Sequence, residues 1–358
     1  MMKNRIKKIF SYVQHDLDAI VIKNSTAPFI DLSFFYVTGI ESGFFENCMV
    51  VLYPEGEMEI LVSQLEKENI KTTHYEVFEN TAQRDEMLRK KLKNAKIGVN
   101  SSFLSHKDFV ELEKIVCQNL IDIEGAIQHA RLIKDNTEIK YIKKACKISS
   151  DITLGISSLL DNGISEQEIV SEIVYQIYRQ GGSIAFTPIV AFGKNTACPH
   201  YSYGIKKLTR GLVLVDFGAK YKRYCSDITR TFYYGNPPSK FLQMYADVLD
   251  AQQVALKLIK PGVPMAKVHD EVNAFIRTKG YGNMIHSTGH SLGLGVHDGG
   301  VLHNRSEMIF SQGMVFTVEP GIYIQGYGGV RIEDDILVTK EGVEILTPAH
   351  REVDRMIV

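Results

Sequence analysis

Two periods of hydrophobic and polar positions alternate along the first third of the chain, as expected for strands interleaved with helices. Short apolar runs predict strands at residues 18–22, 49–53, 59–62 and 95–99. Stretches with helical spacing predict helices at residues 64–69, 85–93 and 106–116. This alternation is typical of a mixed or parallel sheet covered by helices.

From Thr137 onwards the pattern changes to long amphipathic helices. Apolar residues recur at helical spacing from Ile139 to Ile148, opposite polar positions. Further helices are predicted at residues 165–179, 240–259 and 267–279. Because the pattern changes between residues 125 and 135, we predict an N-terminal domain over residues 1–126 and a second domain over residues 127–358.

Composition excludes several classes of function. With 41 basic and 42 acidic residues among 358, the net charge is −1, so we expect neither a nucleic-acid nor an anionic-membrane partner. The apolar region 19–36 contains Lys23, Pro28 and Asp31, so it does not predict a membrane span. The five cysteines are scattered without a CxxC pair, which favours reduced thiols in the cytoplasm.

Three acids interrupt or directly follow apolar runs that predict strands: Asp216, Glu319 and Glu333. A charge within a buried strand is unfavourable unless a counter-charge meets it there. Together with Asp227 and His290, these acids form an oxygen-rich set suited to two divalent cations. The pattern indicates a hydrolase with a dinuclear metal site.

Asp216 and Asp227 lie on either side of a predicted hairpin that turns at Tyr221-Lys222. This turn would place the two aspartates directly opposite each other, on the same face. Opposed like charges are unfavourable unless a cation lies between them. The alternative is a solvated strand edge with two ordinary surface acids.

Glu319 and Glu333 are predicted to meet in the same way. Glycines within residues 326–329 mark a turn, and strands on either side would bring both glutamates to one end of a sheet. Arg331 shares the strand face of Glu333, where its guanidinium could orient a carboxylate. A plain surface ion pair is the alternative for Arg331.

Histidines cluster before the first glutamate, at His286, His290 and His297. The cluster lacks the Glu of an H-E-x-x-H helix and contains glycines that disfavour a helix, which argues against a mononuclear zinc peptidase. A fourth histidine, His200, follows a proline in a predicted loop. A hydrogen-bonded structural role is the alternative for each histidine alone.

Five motifs follow one another in the second domain: Asp216-Phe-Gly, Ser226-Asp227-Ile-Thr-Arg, Thr288-Gly-His290-Ser, Thr317-Val-Glu319-Pro and Gly329-Val-Arg331-Ile-Glu333-Asp. Their order resembles the pita-bread metallopeptidases, which include prolidase, aminopeptidase P and methionine aminopeptidase. Residues 18–21 and 34–39 resemble the creatinase/prolidase N-terminal domain. The resemblance therefore implies an α/β (α+β) chain, with a small mixed α/β N-terminal domain and a C-terminal pita-bread (creatinase/aminopeptidase) fold.

By this resemblance, Asp216 and Asp227 bind one divalent metal ion, and His290 with Glu319 binds a second. Asp227 and Glu333 would bridge the two ions. The ligand set favours Mn²⁺ or Co²⁺, with Zn²⁺ as the alternative. The resemblance also implies a homodimer.

The resemblance further implies hydrolysis of the bond that precedes proline in small peptides with proline at the second position. A water activated by the metals would attack the carbonyl group, and His297 or, as second choice, His200 would stabilise the oxyanion. Glu319 would carry the proton to the proline nitrogen, and Arg331 would orient a carboxylate.

Among the possible activities, a Xaa-Pro dipeptidase is favoured. Aminopeptidase P, acting on longer peptides, remains the alternative, and the segment Val296-His297-Asp298-Gly keeps this alternative open. A creatinase-like metal-free hydrolase or a non-catalytic binding module would be expected to lack ligands that this chain retains.

Overall fold

The computed structural model describes residues 2–71 and 74–358. The chain forms two compact units, and the division falls between Arg131 and Leu132. The predicted domain boundary after residue 126 lies within a helix that runs from Glu124 to Leu132. The unit to which each residue of this helix belongs depends on tertiary packing, which a periodic pattern along the sequence does not record.

The first unit is built on a six-stranded mixed sheet with the order β4-β3-β2-β1-β5-β6. Its strands are β1 (Ala19–Lys23), β2 (Met49–Leu52), β3 (Met58–Ser63), β4 (Tyr75–Phe78), β5 (Ile97–Val99) and β6 (Ile121–Asp122). Its helices are α1 (Met2–Tyr12), α2 (Leu32–Thr38), α3 (Thr81–Leu92), α4 (His106–Val116) and α5 (Glu124–Leu132). The predicted interleaving of strands and helices around a mixed sheet is confirmed.

Two segments of this unit differ from the sequence prediction. The helix predicted at residues 64–69 is only a short 3-10 turn, Lys67–Asn69, because Glu66 instead binds the backbone N–H groups of Phe44 and Phe45 at 2.9 and 3.0 Å. Helix α2 was not predicted. Its residues 33–37 are all buried, so the helix has no polar face to produce an amphipathic period.

The second unit contains four further helices and small antiparallel sheets. The helices are α6 (Asn136–Ile156), α7 (Glu166–Arg179), α8 (Ser239–Leu258) and α9 (Met265–Thr278). The strands are β7 (Ser183–Ile184), β8 (Ile189–Phe192), β9 (Gly211–Phe217), β10 (Ala219–Tyr221), β11 (Tyr224–Cys225), β12 (Ile228–Tyr234), β13 (Val315–Val318), β14 (Gly321–Ile324), β15 (Gly328–Arg331), β16 (Asp334–Val338) and β17 (Val343–Ile345).

All four predicted helices of this unit are confirmed to within a few residues. Capping boxes start two of them: Asp135 with Glu138 begins α6, and Ser165 with Glu168 begins α7. Each box satisfies backbone N–H groups that have no partner inside the helix. The apolar faces of these helices join the strands in one hydrophobic core.

The first predicted hairpin forms, but its predicted register is wrong. Lys222 and Arg223 both have positive φ, 46° and 73°, so the two-residue turn lies one position later than predicted. Asp216 therefore pairs with Thr229 instead of Asp227. Because the register moves by two residues, Asp227 remains on the face of Asp216 as a diagonal neighbour.

The second predicted hairpin is divided into two ladders. Strand β14 pairs with β15, and β13 pairs with β16, with residues 319–320 and 332–333 lying between the two ladders. The two ladders share one register, so Glu319 and Glu333 face each other in the gap between them. The predicted meeting of these glutamates is confirmed.

Two further features bear on the sequence predictions. Among the described helices, none is long and apolar enough to cross a membrane. None of the five cysteines, all within the described residues, forms a disulfide; Cys48, Cys146 and Cys225 are buried, whereas Cys117 and Cys198 are exposed.

Candidate metal centre

All eight predicted site residues line one cavity of the second unit, which has a volume of about 450 Å³. These residues are His200, Asp216, Asp227, His290, His297, Glu319, Arg331 and Glu333. His286 and Ser287 also line the cavity. Four apolar residues form the rest of its wall: Phe186, Ile189, Pro199 and Val296. The two hairpins and two loops thus bring together predicted site residues that are up to 133 positions apart in sequence, from His200 to Glu333.

At the centre of this cavity, Asp227, His290 and Glu333 offer ligand atoms that all lie within 4.8 Å of one another. The Nε2 atom of His290 lies 3.7 Å from Asp227 Oδ2 and 3.5 Å from Glu319 Oε1. His290 is held beside the glutamate strand because Thr317 donates its backbone N–H to the His290 carbonyl at 2.8 Å. These distances leave room for a cation between the side chains.

Arg331 organises the other side of the cavity. Its Nη2 lies 2.5 Å from Asp216 Oδ2, its Nε donates to Thr229 Oγ1 at 3.0 Å, and its Nη1 donates to Tyr323 OH at 2.9 Å. Thr229 in turn donates its hydroxyl to Glu333 Oε2 at 2.6 Å. The guanidinium therefore fixes one carboxylate directly and a second through a threonine.

Burial and mutual repulsion oppose ionisation of the acids in this site. Burial, followed by repulsion from Glu333 and Asp216, raises the pKa of Asp227 well above its ordinary value. The pKa of Glu333 is raised well above its ordinary value by burial and then by Glu319. Burial also raises the pKa of Glu319 to about 7. A bound cation would supply the charge that these carboxylates need in order to ionise.

Burial keeps the central histidine of the site, His290, neutral. Burial, and then the neighbouring His297, lowers the pKa of His290 to about 3, so its ring is free to act as a metal ligand. The ring centroids of His290 and His297 lie 4.1 Å apart. His297 and His200 are exposed residues at the cavity.

Orphaned oxygen atoms provide a direct test of whether a metal fits. Within residues 2–71 and 74–358, the Oδ1 atoms of Asp216 and Asp227 are buried and have no hydrogen-bond partner. Buried acceptors of this kind are unfavourable unless something satisfies them. Because both orphaned atoms lie on carboxylates of the cavity, the donor set fits hard divalent cations.

Sequence reasoning missed several residues that support this site. Asp335 Oδ2 accepts the backbone N–H of Asp227 at 2.9 Å and the thiol of Cys146 at 3.2 Å. Its strand parity with Glu333 was a signal that could have identified it. Tyr323 was also missed; its hydroxyl lies 3.0 Å from Nε2 of His286. Tyr323 follows Glu319 by four residues and shares its strand parity, which was the signal that could have identified it.

Comparisons with known proteins agree with this geometry. The sequence profile of metallopeptidase family M24 matches residues 140–340. The Xaa-Pro dipeptidase of Pyrococcus horikoshii is 33% identical over 361 residues, which cover 99% of each chain. A solved Xaa-Pro dipeptidase from Bacillus anthracis has a TM-score of 0.91 at 32% identity and covers 100% of both chains. The X-Pro aminopeptidase from Thermotoga maritima has a TM-score of 0.86 at 30% identity, covering 96% of this chain and 98% of its own.

The extent of these matches decides the family. The chain belongs to metallopeptidase family M24, and its mixed α/β N-terminal unit and pita-bread second unit confirm the predicted fold class. Members of this family bind divalent metals, in agreement with the candidate metal centre.

Proposed function

We propose that this protein is a Xaa-Pro dipeptidase that hydrolyses the bond before proline in dipeptides. The observation that carries this proposal is the cavity, in which orphaned aspartate oxygens, glutamates and a neutral histidine converge. Full-length similarity to Xaa-Pro dipeptidases supports the substrate class. Proline lacks the N–H that other peptide bonds offer, so selection must rest on the shape of the pocket.

Five side chains would hold two divalent metal ions. Asp216 and Asp227 would bind one, His290 and Glu319 the other, and Asp227 and Glu333 would bridge them. We propose Mn²⁺ or Co²⁺, with Zn²⁺ as the alternative, because oxygen ligands dominate the set. When bound, such ions would lower the pKa of a water towards neutrality and polarise the substrate carbonyl group.

The chain's own residues would perform the remaining steps. Glu319 would accept a proton and pass it to the proline nitrogen. His297, or else His200, would donate an N–H to the developing oxyanion. Arg331 would keep the Asp216 carboxylate in its ligand orientation through their contact.

The proposal also covers the oligomeric state and the cellular location. We propose a homodimer, on the basis of the family resemblance, and a cytoplasmic location, because five cysteines without a disulfide suit a reducing compartment. Light scattering coupled to size exclusion tests the first, with twice the mass of the chain as the expected result.

The function is tested by following hydrolysis of a Xaa-Pro dipeptide and a Xaa-Pro-Yaa tripeptide with Mn²⁺, Co²⁺, Zn²⁺ or EDTA. We expect metal-dependent cleavage of the dipeptide, loss of activity in EDTA, and loss of activity in Glu333→Ala. Preference for the tripeptide would favour an X-Pro aminopeptidase, the activity of the similar Thermotoga maritima protein. Absence of cleavage in metal-loaded protein would overturn the proline-specific function.

A further inference from the structure

A buried carboxylate outside the metal centre binds the loop that carries His200. Glu166, the first residue of α7, is fully buried at 0% exposure. The loop, residues 193–204, leaves β8 after Phe192 and contains His200 near its far end. A fully buried carboxylate is unfavourable unless hydrogen-bond donors surround it, so the groups that it contacts indicate its role.

Four donors converge on the two oxygens of Glu166. Its Oε1 accepts the backbone N–H of Phe192 at 2.9 Å and the amide of Asn195 at 3.4 Å. Its Oε2 accepts the backbone N–H of Gly204 at 3.0 Å and the hydroxyl of Tyr201 at 3.2 Å. One side chain therefore binds both ends of the loop.

Two further contacts make this arrangement a closed frame. Asn195 donates to Tyr201 OH at 2.8 Å, across the loop. The backbone N–H of Gln167, the next residue of α7, donates to the Gly204 carbonyl at 3.0 Å. The first turn of the helix thus binds both the N–H and the C=O group of Gly204, and only a carboxylate can accept all four donors.

The loop is also joined to the metal-centre hairpin. Thr196 accepts the backbone N–H of Gly329 through its hydroxyl at 2.7 Å, two residues before Arg331. A Cβ atom at Gly329 would lie 2.3 Å from the Thr196 carbonyl oxygen, so glycine is required for this approach. The position of the loop relative to the cavity is therefore set at its start by Thr196 and at both ends by Glu166.

His200 itself depends on this frame. It is exposed, so packing does not fix its ring, yet it lines the cavity and lies close enough to Asp216, His286 and His297 to affect their pKa values. A group that acts on a substrate must be held in place, and a displacement of about 1 Å can reduce a rate by about 100-fold.

We propose that Glu166 is a positioning residue that holds His200 at the cavity by binding both ends of its loop. The inference extends the proposed function, on which it rests for the role of His200. The hydrogen-bonded frame itself does not depend on which peptide the protein cleaves.

The test uses Glu166→Gln in the full-length, metal-loaded protein, because glutamine keeps the shape but points an N–H₂ group at N–H donors. Hydrogen exchange followed by mass spectrometry should be about tenfold faster or more in residues 192–204, since several hydrogen bonds are lost together. Glu172→Gln, in the same helix, is the matched control and should leave exchange in the loop unchanged. Unchanged exchange in Glu166→Gln would overturn the proposal.

Kinetics distinguish positioning from a general structural role. We expect Glu166→Gln to lower kcat/KM for a Xaa-Pro dipeptide by about tenfold or more, with metal content unchanged. In a His200→Ala background the same substitution should lower it by less than about twofold, because the effect passes through His200. Equal effects in both backgrounds would overturn the proposal.

Two further outcomes are covered: Glu166→Gln does not fold, or the wild-type protein has no proline-specific activity. Tyr201→Phe removes one donor and leaves the carboxylate intact, so it should produce a smaller increase in exchange if Glu166→Gln does not fold; no increase would contradict the proposal. If the wild-type protein cleaves no Xaa-Pro peptide, the proposed function fails, and the exchange measurement still decides whether Glu166 holds the loop.

Discussion

Asp227 is held by the protein in a state that is unfavourable without a cation. It is 5% exposed, its Oδ1 atom lacks a hydrogen-bond partner among residues 2–71 and 74–358, and four neighbouring acids repel it. Its backbone N–H donates to Asp335, which holds this part of the chain in place. The residue is thus arranged for ligand binding at the expense of the stability of the metal-free protein.

Asp227→Asn should therefore have opposite effects on metal binding and on metal-free stability. We expect the variant to retain fewer metal ions, measured by elemental analysis, because a charged ligand is lost. In EDTA, its free energy of unfolding should rise, since an uncharged amide replaces a buried carboxylate that neighbouring acids repel. Asp250→Asn, at an exposed position of α8, is the control and should change neither quantity. A metal-free variant less stable than wild type would contradict this account.

Glu319 gives the site a pH dependence whose sign follows from its pKa. Burial raises the pKa from 4.5 to about 7 in the metal-free folded protein. Below pH 4.5 both the folded and the unfolded state are protonated, whereas between 4.5 and about 7 only the folded state keeps the proton. The free energy of unfolding of the metal-free protein should therefore fall as pH rises through this window.

Metal affinity should change in the opposite direction over the same pH range, because cations bind the ionised carboxylate. We expect calorimetric titrations with Mn²⁺ to give tighter binding from pH 5.5 to 8. Glu319→Gln should release about one proton fewer on binding and flatten both profiles. Profiles of unchanged slope in this variant would assign the pH dependence to other carboxylates.

At the scale of elements, close backbone approaches bring the ligand strands together. A Cβ atom at Gly289 would lie 2.0 Å from the carbonyl oxygen of Thr317, the residue that also bonds His290. Such a contact cannot be relieved by a side-chain rotation, because the neighbouring atom belongs to the backbone. The glycine before His290 is therefore required for the approach of the histidine segment to the Glu319 strand.

Gly289→Ala should separate these two segments. We expect a loss of about 1–3 kcal/mol in the free energy of unfolding, together with weaker metal binding. Gly282→Ala is the matched control, since nothing lies within 4 Å of its added Cβ atom. Denaturant unfolding and metal titration of both variants provide the measurement, and equal stability of the two would contradict the predicted clash.

At the scale of the whole molecule, the candidate metal centre belongs to one of the two units. Every residue that lines the cavity belongs to the second unit, Leu132–Val358, which also has its own hydrophobic core. Ligand geometry is therefore a property of that unit.

A fragment of residues 132–358 should accordingly bind two divalent ions with the stoichiometry of the full chain. Binding of a ligand to the folded state stabilises it, so Mn²⁺ should raise the melting temperature of the fragment, and EDTA should lower it. Calorimetry and thermal unfolding are the measurements. A folded fragment that binds no metal would mean that the first unit is needed to complete the site.

The sequence by itself determined the elements and the chemistry of this protein. The periods of apolar residues located the helices of the second unit, and the acids that interrupt apolar runs identified the residues that meet in the cavity. These features are local, because side-chain period and residue type are both read within a few positions. The motif order also identified the family. The individual roles assigned to His200, His297, Glu319 and Arg331 stay predictions.

Only the tertiary structure decided how these parts are joined. The register of the first hairpin was set by positive φ values at Lys222 and Arg223, which residue type did not indicate. The buried helix α2 gave no amphipathic period, and the contacts of Asp335 and Glu166 connect positions far apart in sequence. Turn dihedrals, burial and long-range hydrogen bonds depend on the complete packed core, so a pattern along the chain cannot specify them.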